Sequence, residues 1–389
     1  MAPRRVAIVG AGLSGLSLAV QLAESAAPVD IVLFDRRETF GDDRTWCFWD
    51  VTRHPFESAV SRRWSSWELR SGAQHLKCST ARHDYVHVAS RDFYRQALER
   101  LHHAGRAELR FGESVLSIED RPESARVVTT AGEFAADVVF DSRPSSASRW
   151  FGRGLVQQFY GMEVLATRPT FDPATVTLMD FVSAGNEGVH FFYVLPFDSQ
   201  RALVESTWIT STPRGSEALR SEVESYLRNR FGLCEPSTLR TEAGAIPMHA
   251  SRKHKGASRV VPIGLGGGWA RPSTGYAFLA TQLCCAAIVR DLEAGRPARA
   301  VDGTRRRAQF LDRVFLRALE RQPHGAPDLF LAPFAGAGSD AAARFLSDTG
   351  SLLDDLRVVY SMPKSPMLKA LLERQPRPAS TRQPREGAA

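Results

Sequence analysis

Apolar positions along the chain form short β-branched runs first, alternating strands in the middle and helical spacing towards the end. Val6-Ala7-Ile8-Val9 reads as a strand. Gly10-Ala11-Gly12-Leu13-Ser14-Gly15 follows, then an apolar helical pattern from Leu16 to Ala23 and a second strand, Asp30-Ile31-Val32-Leu33-Phe34, ending at Asp35. Arg91 to Leu98 opens a further helix, and Asp137-Val138-Val139-Phe140-Asp141 reads as a strand leading into Ser142-Arg143. Three segments then alternate with period two: 175–182, 189–196 and 201–208. They predict an antiparallel sheet. Val260 to Gly268 is another strand running into a glycine loop, followed by a helix from Tyr276 to about Leu292. The pattern is helical from Arg305-Arg306-Arg307 onward, and the Pro- and Arg-rich stretch from Arg374 predicts a disordered tail.

With 389 residues, 43% hydrophobic and 24% charged, the chain has the composition of a globular protein of two or three structural units. Five cysteines without CxxC spacing argue against a disulfide or metal framework and for a reducing compartment. His54, His75, His83 and His87 lack metal-ligand spacing and read as surface or core residues, and Cys284-Cys285 reads as core filling. The net charge of +7 is spread along the chain, so nucleic-acid binding is not expected, whereas attraction to anionic lipid fits. No apolar run reaches the roughly 18–20 residues that span a bilayer, and Met1 to Arg5 leads straight into a strand instead of a signal peptide.

Strand, GxGxxG, helix, strand and terminal acid form a βαβ dinucleotide unit. Gly10 permits the tight turn, Gly12 lets a pyrophosphate approach the backbone, and Gly15 lets helix and strand pack closely. The helix N-terminus offers unpaired N–H groups to the phosphates. Asp35, about 20 residues beyond Gly15, is placed to accept hydrogen bonds from a ribose diol. The late loop Gly264-Leu265-Gly266-Gly267-Gly268, continuing through Pro272, Thr274 and Gly275, has the shape of a second FAD motif, with Leu265 where an acid usually stands. Two such motifs 250 residues apart favour FAD in a split domain over a simple NAD unit. Arg91 resembles the helix arginine that lies near the cofactor phosphates in FAD-dependent aromatic hydroxylases.

Asp42-Asp43-Arg44-Thr45-Trp46-Cys47-Phe48-Trp49 has no explanation at the level of fold. It resembles the (N/D)DRTWCFW signature of bacterial FAD-dependent lycopene β-cyclases. Six later segments resemble the same family in the same order: Gln157 to Gly161, Thr177 to Phe181, Phe192 to Phe197 with Leu203 to Thr207, Glu242 to Met248, Arg271 to Tyr276, and Asp312 to Arg317. The resemblance covers about residues 5–370. One departure stands out: Arg271 replaces the histidine usual before the Pro-Ser-Thr-Gly-Tyr loop.

The resemblance implies an α/β fold with a split Rossmann-type FAD-binding domain (GR2-like) at 1–150 and 240–300. It further implies an antiparallel-sheet substrate domain at 151–239, a C-terminal helical region at 301–373 and a tail at 374–389. The implied reaction is redox-neutral, acid-catalysed closure of the linear ends of lycopene to β-ionone rings, with reduced FAD as cofactor and NADPH or NADH as its reductant. Glu205, in the middle of a strand and on the face of Leu203 and Thr207, is the first candidate acid, because an apolar setting raises a carboxyl's pKa. Asp43 is the second. Trp46, Phe48, Trp49 and Tyr193 are candidates for substrate packing and cation stabilisation. Two alternatives remain open at this stage: a flavin-dependent monooxygenase or reductase acting on a polyprenoid, and a non-catalytic carotenoid-binding flavoprotein. The expected location is cytoplasmic, peripheral on the inner face of the cell membrane.

Overall fold

The computed structural model describes residues 3–72, 74–144, 147–185, 187–249 and 258–372. The expected tail from Arg374 lies outside them. Five parallel strands form the first sheet, in the spatial order Val260–Pro262, Val138–Asp141, Arg4–Val9, Val29–Asp35 and Ala107–Phe111. Both faces of its central strand are covered, as a parallel sheet requires. Val6 and Ile8 pack against helices Leu13–Ala23, Ser90–Ala104 and Phe278–Glu293. Ala7 and Val9 pack against Val127 and Ala136 of a three-stranded antiparallel sheet. The late strand Val260–Pro262 pairs with Val138–Asp141, so a distant segment completes the sheet. The following helix starts at Phe278, two residues later than the pattern predicts. Arg271 to Tyr276 closes a turn in which the Gly275 N–H donates to the Arg271 carbonyl at 2.8 Å.

The second sheet has seven strands, ordered Ser237–Pro247, Val156–Leu165, Arg201–Thr210, Gly188–Pro196, Thr175–Gly185, Ser66–Ser71 and Gln74–Ser79. Its pairings are antiparallel except that Thr175–Gly185 runs parallel to Ser66–Ser71. The alternating segments identified in the sequence form its middle, two strands join it from outside residues 151–239, and Ser237–Pro247 runs across that boundary. Helix Ser216–Phe231 covers one face through Val223 and Leu227, which pack with Val164 and Val204. The other face meets helices Arg306–Arg321 and Ala326–Ala337, where Val314, Leu319 and Leu329 pack with Phe191 and Ile209. A small sheet ordered Thr45–Trp49, Tyr85–Ala89 and Val60–Trp64 completes the set. The fold is α/β, with a parallel sheet, a larger β-sheet and C-terminal helices.

Candidate active site

A cavity of about 1170 Å³ runs from the glycine turn of the parallel sheet to the face of the seven-stranded sheet that meets the C-terminal helices. That exceeds the roughly 300–1,000 Å³ of ordinary small-molecule sites. At its first end stand Gly10, Gly12, Asp35 and Gly264, and Thr274 and Gly275 also line it, Gly275 beside Gln157 and Ile246 of the larger sheet. Gly15 lies behind them, because a Cβ there would stand 1.8 Å from the Gly10 carbonyl oxygen. Nothing lies within 4 Å of where a Gly12 Cβ would be, which leaves the N-terminus of helix Leu13–Ala23 open to an anion. Burial alone would raise the Asp35 carboxyl. The Arg37 side chain and the backbone N–H groups of Arg37 and Ala11 outweigh it and hold the group below the ordinary value. The residues present suit a dinucleotide.

At the other end the strand register builds an acid site. Tyr193, Glu205, Gly161 and Glu242 occupy one cross-strand row, since Tyr193 pairs with Glu205, and both Glu205 and Glu242 pair with Gly161. Cross-strand partners share a face, so the two carboxyl groups flank a residue without a side chain. A Cβ on Gly161 would stand 2.9 Å from the Glu205 Cγ. Glycine here gives Glu205 room to reach Glu242.

The two acids differ in their surroundings. Glu242 accepts hydrogen bonds from Arg240 Nη1 at 2.7 Å and Thr45 Oγ1 at 2.9 Å. Arg240 also donates to Glu163 Oε2 at 2.6 Å, which fixes the guanidinium in place. Among the groups acting on Glu205, burial comes first and the facing Glu242 carboxyl second, and only the more distant Arg240 opposes them. Its carboxyl is therefore held protonated well above the ordinary 4.5. The arrangement is an acid favoured in its protonated form beside a carboxyl anchored by Arg240 and Thr45, in a pocket walled by Phe159, Phe191 and Tyr193.

Strand Thr45–Trp49 joins the two ends. Thr45 reaches Glu242, and buried Trp49 packs on Trp67, Tyr85 and Tyr276. On the alternate positions Trp46 and Phe48 point to the nucleotide side, where Trp46 packs against Phe93 and Phe48 stacks on Phe278 at 4.6 Å. The Tyr193 hydroxyl donates to Tyr85 at 2.9 Å, and burial drives both phenols well above their ordinary range.

Glu205, Trp46, Trp49 and Tyr193 thus meet in one cavity with Asp43, Asp35, Gly10, Gly12, Gly264, Thr274 and Gly275. Phe48, Gly266, Gly267 and Pro272 do not line it, and Arg91 is exposed on its helix. Asp43 stands near Asp35, accepting from the Tyr94 hydroxyl at 3.0 Å and Arg37 Nη1 at 3.4 Å. It shares no hydrogen bond with Glu205. Arg271 is buried and grips Asp312, with Nη2 at 2.8 Å, while Ser273 Oγ donates to the same carboxylate at 2.7 Å. His54 and His87 are buried, and burial, followed by the nearby Arg240 and Arg201 charges, lowers His87 to about 3. Cys284 and Cys285 are buried in the helical layer. Sequence reasoning did not assign a role to Glu242, Arg240 or Gly161. Gly161 and Glu242 belong to the segments Gln157 to Gly161 and Glu242 to Met248, and Arg240 lies two residues before the second, but only the register brings them together.

A family model described as lycopene cyclase protein matches residues 5–372. The lycopene beta-cyclases of Paracoccus sp. (strain N81106 / MBIC 01143) and Pseudescherichia vulneris are 26% and 27% identical, each alignment covering 94% of this chain and 96% of the relative. Among solved structures, a flavoprotein/dehydrogenase from Cytophaga hutchinsonii superposes with a TM-score of 0.61 at 15% identity, covering 95% and 98% of the two chains. Halogenase PltM in complex with phloroglucinol and FAD gives 0.57 at 16%, covering 91% and 83%. These likenesses establish the flavoprotein fold. The site geometry, the family match along almost the whole chain and the full-length relatives agree: this chain belongs to the lycopene cyclase family.

Proposed function

We propose that the chain is a lycopene β-cyclase, an intramolecular lyase of the isomerase type that closes β-ionone rings on a linear carotenoid in carotenoid biosynthesis. The observation that supports this reading best is the buried Glu205 facing the anchored Glu242 in an aromatic pocket, a setting that favours the protonated acid. The Glu205 carboxyl donates its proton to the terminal double bond, leaving a tertiary cation. The next double bond attacks that cation and closes the six-membered ring. Loss of a ring proton to the carboxylate pair restores Glu205, so substrate and product have the same composition. The faces of Tyr193 and Phe159 offer quadrupole stabilisation to the cation, and the apolar walls keep out water that would trap it as an alcohol.

Gly10, Gly12, Asp35, Gly264, Thr274 and Gly275 would hold FAD, which supplies an electron-rich ring system to the cation when bound in its reduced form. NADPH or NADH is the proposed source of that reduction. Asp43, tied to Arg37 and Tyr94, serves the nucleotide end in this reading and Glu205 serves the chemistry. A peripheral position on the inner face of the cell membrane completes it, since the substrate dissolves in lipid. Among the described residues no helix is long and apolar enough to cross a membrane.

The test is anaerobic incubation with lycopene and dithionite-reduced FAD. A cyclised product with unchanged hydrogen count is expected. A requirement for oxygen, a product of altered hydrogen count, or lycopene recovered unchanged would overturn the proposal in favour of a monooxygenase, a reductase or a carrier, respectively.

A further inference from the structure

Among the described residues, eight of the fifteen exposed large apolar side chains fall between Leu352 and Leu372. On helix Leu352–Ser361 they are Leu352, Leu353, Leu356, Val359 and Tyr360, 45% to 82% exposed. Their spacing of three and four places them on one stripe. Val358 and Asp354, on the opposite side, are buried. Helix Lys364–Leu372 repeats the design with Leu368, Leu371 and Leu372, 46% to 80% exposed, and turns Ala370 inward. Apolar exposure this concentrated marks a binding surface, whereas singly scattered residues do not.

Charge on the two helices is sorted by side. Both acids point away from the stripe, Asp354 to Arg344 at 2.7 Å and Asp355 to Arg307. Arg357, Lys364 and Lys369 are exposed. Lys364 Nζ lies 4.7 Å over the Tyr360 ring, beside the stripe. Leucines with a cationic border and no outward carboxylate complement an anionic lipid surface. Residues 373–389 contain no Leu, Ile, Val, Phe, Met, Trp or Tyr.

The stripe also adjoins the cavity. Val359, an exposed member of the stripe, lines the cavity together with Val358, Met362 and Met367. The apolar interior therefore comes to the surface at the bend between these helices. We propose that helices Leu352–Ser361 and Lys364–Leu372 are the docking surface for an anionic bilayer, and that the bend between them is the portal through which a lipid-dissolved hydrocarbon reaches the site. The portal rests on the polyene reading above, and the docking surface does not.

The experiment is flotation of the full-length protein with phosphatidylcholine vesicles with or without phosphatidylglycerol, compared with the triple variant L353S, L356S and L368S and with the charge variants R357Q and K369Q. Binding to the mixed vesicles that weakens with salt is expected. The triple variant should lose about tenfold or more, and each charge variant about fivefold. Cyclisation of lycopene delivered in detergent micelles should be unchanged in the triple variant, while cyclisation of vesicle-embedded lycopene falls with binding. Absence of vesicle binding, or binding indifferent to the triple variant, overturns the proposal. So does a dimer in solution that the triple variant dissolves without any vesicle binding, which would assign the stripe to a second copy. Vesicle binding with no cyclised product even in micelles would uphold the surface and overturn the activity.

Discussion

At the residue scale the proposed chemistry depends on the Glu205 carboxyl, which burial and the facing Glu242 favour in its protonated form. Replacing Glu205 with Gln leaves shape and burial almost unchanged but removes the transferable proton. E205Q should lower cyclisation by about 10²–10⁴-fold while keeping the fold and cofactor binding, judged by bound-flavin absorbance. Near-normal turnover would exclude Glu205 as the acid. The same variant reports on stability. A folded chain that retains a proton which the unfolded chain releases above about pH 4.5 loses stability as pH rises, until the folded group also titrates. That loss amounts to about 1.4 kcal/mol per pH unit over the interval. Melting temperatures of E205Q should therefore decline less between pH 5 and pH 8 than those of the natural protein. Glu242 is tested through the pH profile of kcat. The acid works while protonated, so activity should persist at neutral pH and fall on the alkaline side. E242Q removes a carboxyl that raises the Glu205 pKa and should move that alkaline limb towards acid, and an unmoved limb would dissociate the pair.

At the element scale, strand Thr45–Trp49 and the turn beginning at Arg271 hold the separate units in register. The buried pair of Arg271 and Asp312 connects the late glycine loop to helix Arg306–Arg321, and the Arg271 guanidinium also lies 4.7 Å over the Phe345 ring. Removing Arg271 leaves a buried carboxylate with, among the described residues, only the Ser273 hydroxyl to satisfy it. R271A should destabilise the protein by about 3–5 kcal/mol, measured by denaturant unfolding, and a loss below about 1 kcal/mol would remove its role as a clamp. Much of this organisation was legible in the sequence, because glycine turns, strand alternation and the tryptophan-rich signature are local. Gly10, Asp35 and Glu205 could be selected from short windows. The pairing of Glu205 with Glu242 could not, because it depends on two registers meeting at Gly161 across strands 37 positions apart. Arg271 reads in the sequence as a departure from a family pattern, and only its contact with Asp312 reveals the reason for a guanidinium there. Strands Ser66–Ser71 and Gln74–Ser79 join the larger sheet from the amino-terminal third, which no local pattern announces.

At the scale of the whole molecule, the cavity connects three contributions: a nucleotide cradle from the parallel sheet, an acid row from the larger sheet and an apolar wall from the C-terminal helices. None is a complete site. The acid row occurs once, since Gly161 accommodates a single facing pair. A symmetric polyene presents two identical ends, and a rigid conjugated rod cannot reverse direction inside a packed channel. Its far end can reach Glu205 only after the first ring has left and the molecule has returned in the opposite orientation. Whether one ring or two is made is thus a matter of kinetics, the half-finished molecule's chance of re-entry set against its chance of diffusing away. If the proposed docking surface holds the protein on a bilayer, the lipid reservoir outside the portal would become part of what determines the product.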